Sequence, residues 1–346
     1  MAKRSAAVLG AGSWGTVLAS VLVDNGLDVK LWARRRELAE EITQDHCNSW
    51  YLPDIRLPET LQATDSLEEA VAGKDLVLMG VPSQSMREVA RNLAPRLGKG
   101  TLVLHAAKGF ELGSLKRMSV VLEEELPMAA ERIGVLSGPS HAEEVIRKSP
   151  TTVVVASKHP SVAEEAQGLL INSYLRVYTH PDVIGTEVGG SLKNIIALGS
   201  GISDGLNFGD NAKAALITRG LAEMARLGMA MGAKPITFAG LSGVGDLVVT
   251  CTSRHSRNWR AGYLLSQGLA LEEVLQQMGM VVEGIKTTQV AQELAAKYQV
   301  EMPITQELYA VLFEGKSPRK AVEDLMARGK TDEMEEMIQG SPGPTA

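Results

Sequence analysis

The sequence predicts an α/β fold: an N-terminal doubly wound, mostly parallel sheet followed by an all-α C-terminal domain. Three observations carry that prediction. Short aliphatic or β-branched runs alternate with stretches of helical length over roughly residues 1–180. These runs are apolar at nearly every position, as strands buried on both faces of a parallel sheet must be. After His180-Pro181 the strand signal stops and only helical patterns follow.

The first strand is expected over Ala6–Leu9, and the Gly-rich segment after it opens a helix over Thr16–Asn25. Val29–Trp32, Leu76–Met79, Thr101–His105, Ile133–Leu136, Thr151–Ala156 and Arg176–Tyr178 continue the sheet. Amphipathic stretches between several of them supply the crossovers that parallel strands require. Helices are then expected over Asp182–Ser203, Asn211–Met231, Trp259–Gln267, Leu271–Met278, Thr287–Tyr298, Ile304–Glu314 and Pro318–Ala327. Ser317 caps the last of these, with Pro318 at the first helical position. The expected division is a dinucleotide-binding α/β domain over 1–184, an all-α substrate and catalytic domain over 185–339, and a disordered tail over 340–346. The length of 346 residues agrees with two domains of about 150 residues or more.

Composition excludes several classes. A net charge of −6 argues against a partner held by broad phosphate neutralisation, so no nucleic acid is expected. Only Cys47 and Cys251 occur, which excludes a disulfide scaffold and suits a reducing, cytoplasmic compartment. No uninterrupted apolar run approaches the roughly 18 residues of a membrane helix, and the N-terminus lacks a signal-peptide core. The six His and two Cys show no metal-ligand spacing, so no metal is expected. No GxSxG elbow supports a serine hydrolase. Aromatic residues make up only 4% of the chain, whereas its 34 Gly exceed average usage of about 7%. Many backbone positions must therefore need glycine for conformation or close approach.

The most informative glycines are Gly10, Gly12 and Gly15. The segment Gly10-Ala-Gly12-Ser-Trp-Gly15 follows the first strand and opens a helix, the context that turns a weak GxGxxG pattern into a dinucleotide fingerprint. Gly10 allows the tight turn, Gly12 lets backbone approach a pyrophosphate, and Gly15 lets the helix pack close to the sheet. At the end of the second strand, where an NAD site places a carboxylate, stand Arg34, Arg35 and Arg36. Guanidinium groups there suit a 2′-phosphate, so the cofactor expected is NADP(H), with NAD(H) also accommodated. Which of the three meets the phosphate stays open. Three further loops, at Val81-Pro82-Ser83-Gln84, His105-Ala-Ala-Lys108-Gly109 and Gly138-Pro-Ser140-His-Ala142, leave strands at the carboxyl edge where such sheets bind ligands.

The chemistry is expected beyond residue 182. Gly189, Gly190, Lys193 and Asn194 share one helical face, and close approach of a ligand to that face would explain two helix-interior glycines. A Lys desolvated there has a lowered pKa and suits proton exchange with an alcohol or alkoxide. Residues 241–258 form the least helical stretch of the second domain. Ser256, Arg257 and Asn258 at the helix start after it offer a hydroxyl, a guanidinium fork, an amide and free backbone N–H groups to a phosphate. Asp246 is placed to accept from a sugar-like hydroxyl or to orient a Lys.

These segments resemble the bacterial-type NAD(P)-dependent sn-glycerol-3-phosphate dehydrogenases over nearly the whole chain. The likeness runs through Gly10–Gly15, Lys108-Gly109, Gly138-Pro-Ser140, Lys193-Asn194, 209–220, Gly245-Asp-Leu247, Thr250-Cys-Thr-Ser253, Ser256-Arg-Asn258 and Val282-Glu-Gly284. The resemblance implies a Rossmann-like first domain and a reaction interconverting dihydroxyacetone phosphate and sn-glycerol 3-phosphate, feeding phospholipid synthesis. It implies Lys193 as the catalytic proton donor and acceptor. Cofactor contacts fall to Ser13, Trp14, Arg34, Arg35, Lys108, Ala142, Arg257, Val281 and Glu283, beside the three glycines. Substrate contacts fall to Lys108, Gly138, Ser140, Lys193, Asp246, Ser256, Arg257 and Asn258. The expected partner is a small-molecule substrate, without membrane insertion, and a homodimer is the assembly allowed for. Two rivals are kept: a related hydroxyacid or 6-phosphogluconate-type dehydrogenase, and a non-catalytic dinucleotide sensor.

Overall fold

A computed structural model describes residues 4–329, and the side chain of Met128 is left aside. The expected tail at 340–346 lies outside the described residues. Contacts divide the chain into two compact units. Residues 4–107 and 118–183 form the first; 108–117 and 184–329 form the second.

The first unit is an eight-stranded sheet. Its strands are β1 (Ser5–Leu9), β2 (Asp28–Trp32), β3 (Gln62–Thr64), β4 (Leu76–Met79), β5 (Leu102–His105), β6 (Ile133–Ser137), β7 (Thr151–Ala156) and β8 (Leu175–His180). The order is β3-β2-β1-β4-β5-β6-β7-β8, and every neighbouring pair is parallel except β6 with β7. In the register Ala6 lies opposite Val29 on one side and Leu76 on the other. Alternation then splits β1 between two cores: Ala6 and Val8 join one face, Ala7 and Leu9 the other. Both faces are covered, which is why these strands are apolar throughout. The strand order reverses between β1 and β4, so ligands are expected beyond the carboxyl ends of those strands.

Two features of the sheet were not predicted. β3 is a three-residue edge strand, Gln-Ala-Thr, without the apolar run of its neighbours. The reversal at β6/β7 follows a segment that holds the short helix Ala142–Val145.

The second unit is helical among the described residues. Its long helix, Val183–Gly205, is buried along almost all of its length. Ile195, Ile196, Leu198, Leu247, Val290 and Leu294 are among the residues of a core that also takes in Phe110, from the 108–117 segment. Helices cross tightly at glycines. A Cβ on Gly201 would stand 1.9 Å from the Trp259 carbonyl oxygen, and one on Gly262 would stand 2.0 Å from that of Leu198. The stretch expected to be least helical is instead a π-helical turn, Leu241–Gly245, running into the helix Asp246–Thr252. Gly243 breaks the turn with non-helical angles (φ −99°, ψ −108°). The break and the buried Asp246 interrupt residues 235–252, which by length and apolar content alone pass for a membrane-spanning helix.

Candidate functional site

The dinucleotide loop joins β1 to the helix Ser13–Asp24. Gly10 has φ +110°, and a Cβ there would press on the Gly80–Val81 backbone at 3.0–3.1 Å. Gly15 packs its helix onto the loop, since its Cβ would sit 1.9 Å from the Gly10 carbonyl oxygen. Gly12, by contrast, faces open space at the helix N-cap. Two glycines thus shape the turn, and the third keeps the approach to the helix N-terminus clear. That cradle fits a pyrophosphate, which backbone N–H groups and the positive helix end attract.

The loop is tied down by a residue that the sequence did not single out. Asn48 is fully buried and donates from Nδ2 to the Ala11 carbonyl at 3.0 Å and to Thr16 Oγ1 at 2.9 Å. Ser13 donates its hydroxyl to the Tyr51 carbonyl at 3.1 Å, and Trp14 packs against the core. Beyond β2 the three arginines separate. Arg36 pairs with Glu40 at 2.8 Å. Arg35 lies over the Trp50 indole, 4.2 Å from its centroid. Arg34 is exposed and meets no carboxylate among the described residues.

At the end of β6, Gly138 has φ +116°, and a Cβ there would stand 3.1 Å from Val153 Cα in β7. The sheet itself thus explains this glycine. Ser140 donates to the Gly138 carbonyl at 2.9 Å, and Ala142 begins the helix that follows.

In the second unit four predicted or neighbouring groups converge. Asp246 is buried between two lysines, its Oδ1 2.8 Å from Lys193 Nζ and its Oδ2 2.7 Å from Lys108 Nζ. Lys193 also donates to Thr250 Oγ1 at 2.6 Å. The Asp246–Thr252 helix sets Asp246 and Thr250 one turn apart on one face, which brings carboxylate and hydroxyl to the same amine. Burial, together with the nearby Lys108 charge, brings Lys193 down to about 8 against the pull of Asp246. Burial alone would raise the Asp246 carboxyl, but the two ammonium groups hold it below its ordinary value. The adjacent Cys251 thiol is pushed up to about 12 by burial, which keeps it in the protonated form at neutral pH.

The structure corrects one reading here. Gly189 does not open the helix to a ligand: its Cβ would stand 2.3 Å from the Ser242 carbonyl oxygen, so it admits the π turn. Of the two roles open to Asp246, orienting a lysine has contacts behind it, since each of its oxygens meets a lysine amine.

The helix Arg257–Ser266 starts at the expected phosphate cradle. Ser256 caps it by accepting from the Trp259 N–H at 3.2 Å. Asn258 donates to Asn194 Oδ1 at 2.8 Å and accepts from the Gly284 N–H at 2.9 Å. Its amide therefore spends one donor and its oxygen on holding three helices together. Arg257 is exposed at the positive helix end with no carboxylate partner among the described residues. Val281 is exposed, and Glu283 begins the helix Glu283–Tyr298. Among the described residues, no group of three or more His, Cys, Asp or Glu is placed to hold a metal.

Comparison with known proteins identifies the family. The family model for the N-terminus of NAD-dependent glycerol-3-phosphate dehydrogenase matches residues 5–163, and that for the C-terminus matches 182–323. The glycerol-3-phosphate dehydrogenase [NAD(P)+] of Bacillus subtilis is 56% identical over 336 residues, covering 97% of each chain. A crystal structure of glycerol-3-phosphate dehydrogenase from Coxiella burnetii superimposes with a TM-score of 0.90 at 40% identity, covering 94% of this chain and 99% of that one. The yeast enzyme gives 0.81 at 27% identity, over 94% and 100%. These matches favour the dehydrogenase reading over the hydroxyacid-type and sensor rivals. With both halves matched in order and nearly the full length covered, the chain belongs to the NAD-dependent glycerol-3-phosphate dehydrogenase family.

Proposed function

We propose that this chain interconverts dihydroxyacetone phosphate and sn-glycerol 3-phosphate with a nicotinamide dinucleotide, NADP(H) favoured and NAD(H) accepted. The observation that carries the reading is the buried Lys193 amine, held by Asp246 and Thr250 in a member of this family. When bound, the dinucleotide supplies the hydride in reduction and takes it in oxidation. Gly10 and Gly15 shape the turn and Gly12 leaves room for its pyrophosphate, while Arg34 and Arg35 offer positive charge at its adenosine end. Ser13, Trp14, Lys108, Ala142, Arg257, Val281 and Glu283 complete the cofactor contacts on this reading.

Lys193 then gives its proton to the C2 oxygen as charge develops there in reduction, and accepts it back in oxidation. Asp246 keeps the amine aimed, and Lys108 adds a second positive charge near the reacting oxygen. Arg257, with the helix end beyond Ser256, holds the substrate phosphate. Gly138, Ser140 and Asn258 line the substrate on the same reading. We read the enzyme as cytoplasmic, without membrane insertion or nucleic-acid partner, as a homodimer, and as a supplier of glycerol 3-phosphate to phospholipid synthesis. The test is a steady-state assay following NADPH and NADH oxidation with dihydroxyacetone phosphate. Turnover with a lower KM for NADPH is expected, and no oxidation with either cofactor would overturn the reading.

A further inference from the structure

The segment between the helix Arg36–Gln44 and β3 is clasped from two sides. On one side Glu41 of that helix accepts from the Ser49 N–H at 2.9 Å and from Cys47 Sγ at 3.3 Å. On the other, Asn48 donates to the pyrophosphate loop at Ala11 and Thr16, while Ser13 of the loop donates to the Tyr51 carbonyl. Held this way, the segment raises Trp50 to the surface, where its side chain is 69% exposed. The contact that its ring makes with a cation is informative. The Arg35 guanidinium lies over it at 4.2 Å, with the Tyr51 ring 6.0 Å away.

Stacking covers one face of a guanidinium and leaves its N–H edges free. Those edges donate in the plane, as bidentate contact with a phosphate requires. The neighbouring arginines are placed differently. Arg36 is drawn to Glu40 on the helix face, and Arg34 has no such support and must surrender its rotamer freedom on binding.

We propose that Trp50 is a specificity-positioning residue: it holds the Arg35 guanidinium flat, so that Arg35 takes the 2′-phosphate of NADP(H), and Asn48 fixes that pair relative to the pyrophosphate loop. This rests on the reading that the Gly10–Gly15 loop binds a dinucleotide. Trp50 itself touches no reacting atom. Its contribution is to pre-order a cation, so it affects binding of the 2′-phosphorylated cofactor and leaves the chemical step alone.

The experiment is calorimetric binding of NADP+, NAD+ and adenosine 2′,5′-bisphosphate to the wild-type protein and to Trp50→Ala, Trp50→Tyr, Arg35→Ala and the Trp50→Ala/Arg35→Ala pair. Trp50→Ala is expected to weaken NADP+ and the bisphosphate about five- to tenfold and NAD+ less than twofold, with kcat at saturating NADPH unchanged. Trp50→Tyr should recover most of the loss, because a tyrosine ring also accepts a stacked cation. In the Arg35→Ala background, removing Trp50 should cost nothing more. Equal weakening of NADP+ and NAD+, no weakening at all, or fully additive losses would each overturn the proposal. Wild-type protein that binds neither dinucleotide would instead overturn the reading beneath it.

Discussion

At about 8, the pKa of Lys193 lies just above neutral, so the amine holds its proton through the neutral range and yields it soon after. With Lys193 in the proposed role, reduction needs the protonated amine, and oxidation needs the free one. The reductive kcat is therefore expected to be flat below pH 7 and to fall as pH rises through about 8, while the oxidative kcat rises over the same interval. A reductive kcat that rises, or an oxidative kcat that falls, over that interval would remove Lys193 from the proton step. Replacing Asp246 by Asn leaves the two ammonium groups facing each other without a counter-charge, so the reductive limb should move to lower pH. Lys193→Ala should lower turnover by about 10²–10⁴, with dinucleotide affinity by calorimetry within about threefold of wild type. The candidate Lys was legible in the sequence because it shares a helical face with glycines, although Gly189 serves packing against Ser242. Thr250 could be quoted but not assigned, since only the fold shows that its hydroxyl meets Lys193. Asn48 left no signal: a lone amide says nothing until the loop it holds is seen.

The glycine excess divides between two physical roles that element-level sequence reading merges. Gly201 and Gly262 let two helices of the second unit touch backbone to backbone, whereas Gly12 keeps space open before a helix. The same substitution should therefore have opposite signatures. Gly201→Ala is expected to destabilise by about 1–3 kcal/mol in urea unfolding, because overpacking cannot relax against a carbonyl. Gly12→Ala should leave the unfolding midpoint almost unchanged and weaken dinucleotide binding at least tenfold. If both variants lose stability alike, the open cradle at Gly12 is misread. Strands were legible wherever they were apolar on both faces, as β1, β4, β5 and β7 are. β3 escaped because an edge strand of three residues with polar ends carries neither period nor length. The Asp246–Thr252 helix escaped for a related reason: it is short, it follows the Gly-rich turn Leu241–Gly245, and its own Thr250 and Thr252 are poor helix formers.

At the scale of the whole chain, Glu223 is a buried acid that links distant helices. Its carboxylate accepts from the Ile304 N–H at 2.5 Å, the Thr305 N–H at 3.2 Å and the Thr305 hydroxyl at 3.0 Å, at the N-terminus of the Pro303–Phe313 helix. Burial outweighs these donors and raises it to about 7 from an ordinary 4.5. The folded state thus holds this proton more tightly than the unfolded chain does. Its contribution to stability is full below about pH 4.5, declines to pH 7 and is level above, a change on the order of 3 kcal/mol. The denaturation midpoint of Glu223→Gln should therefore gain on the wild type between pH 5 and 8; a gap that widens against the variant would refute the assignment. The second feature at this scale is the 108–117 segment, which belongs to the helical unit although the sheet resumes after it. Nothing in its composition announces that. Lys108 reaches Asp246 across 138 positions, Phe110 enters a core built from 188 onward, and Arg117 pairs with Glu187. During synthesis on the ribosome these ten residues emerge long before their partners, so Phe110 must wait, uncovered, until the C-terminal helices arrive. A gene cut at residue 184 would leave its downstream product short of a core aromatic and of cations for two buried carboxylates. The helical unit is thus discontinuous in the message, and its core can be completed only after most of its helices have been translated.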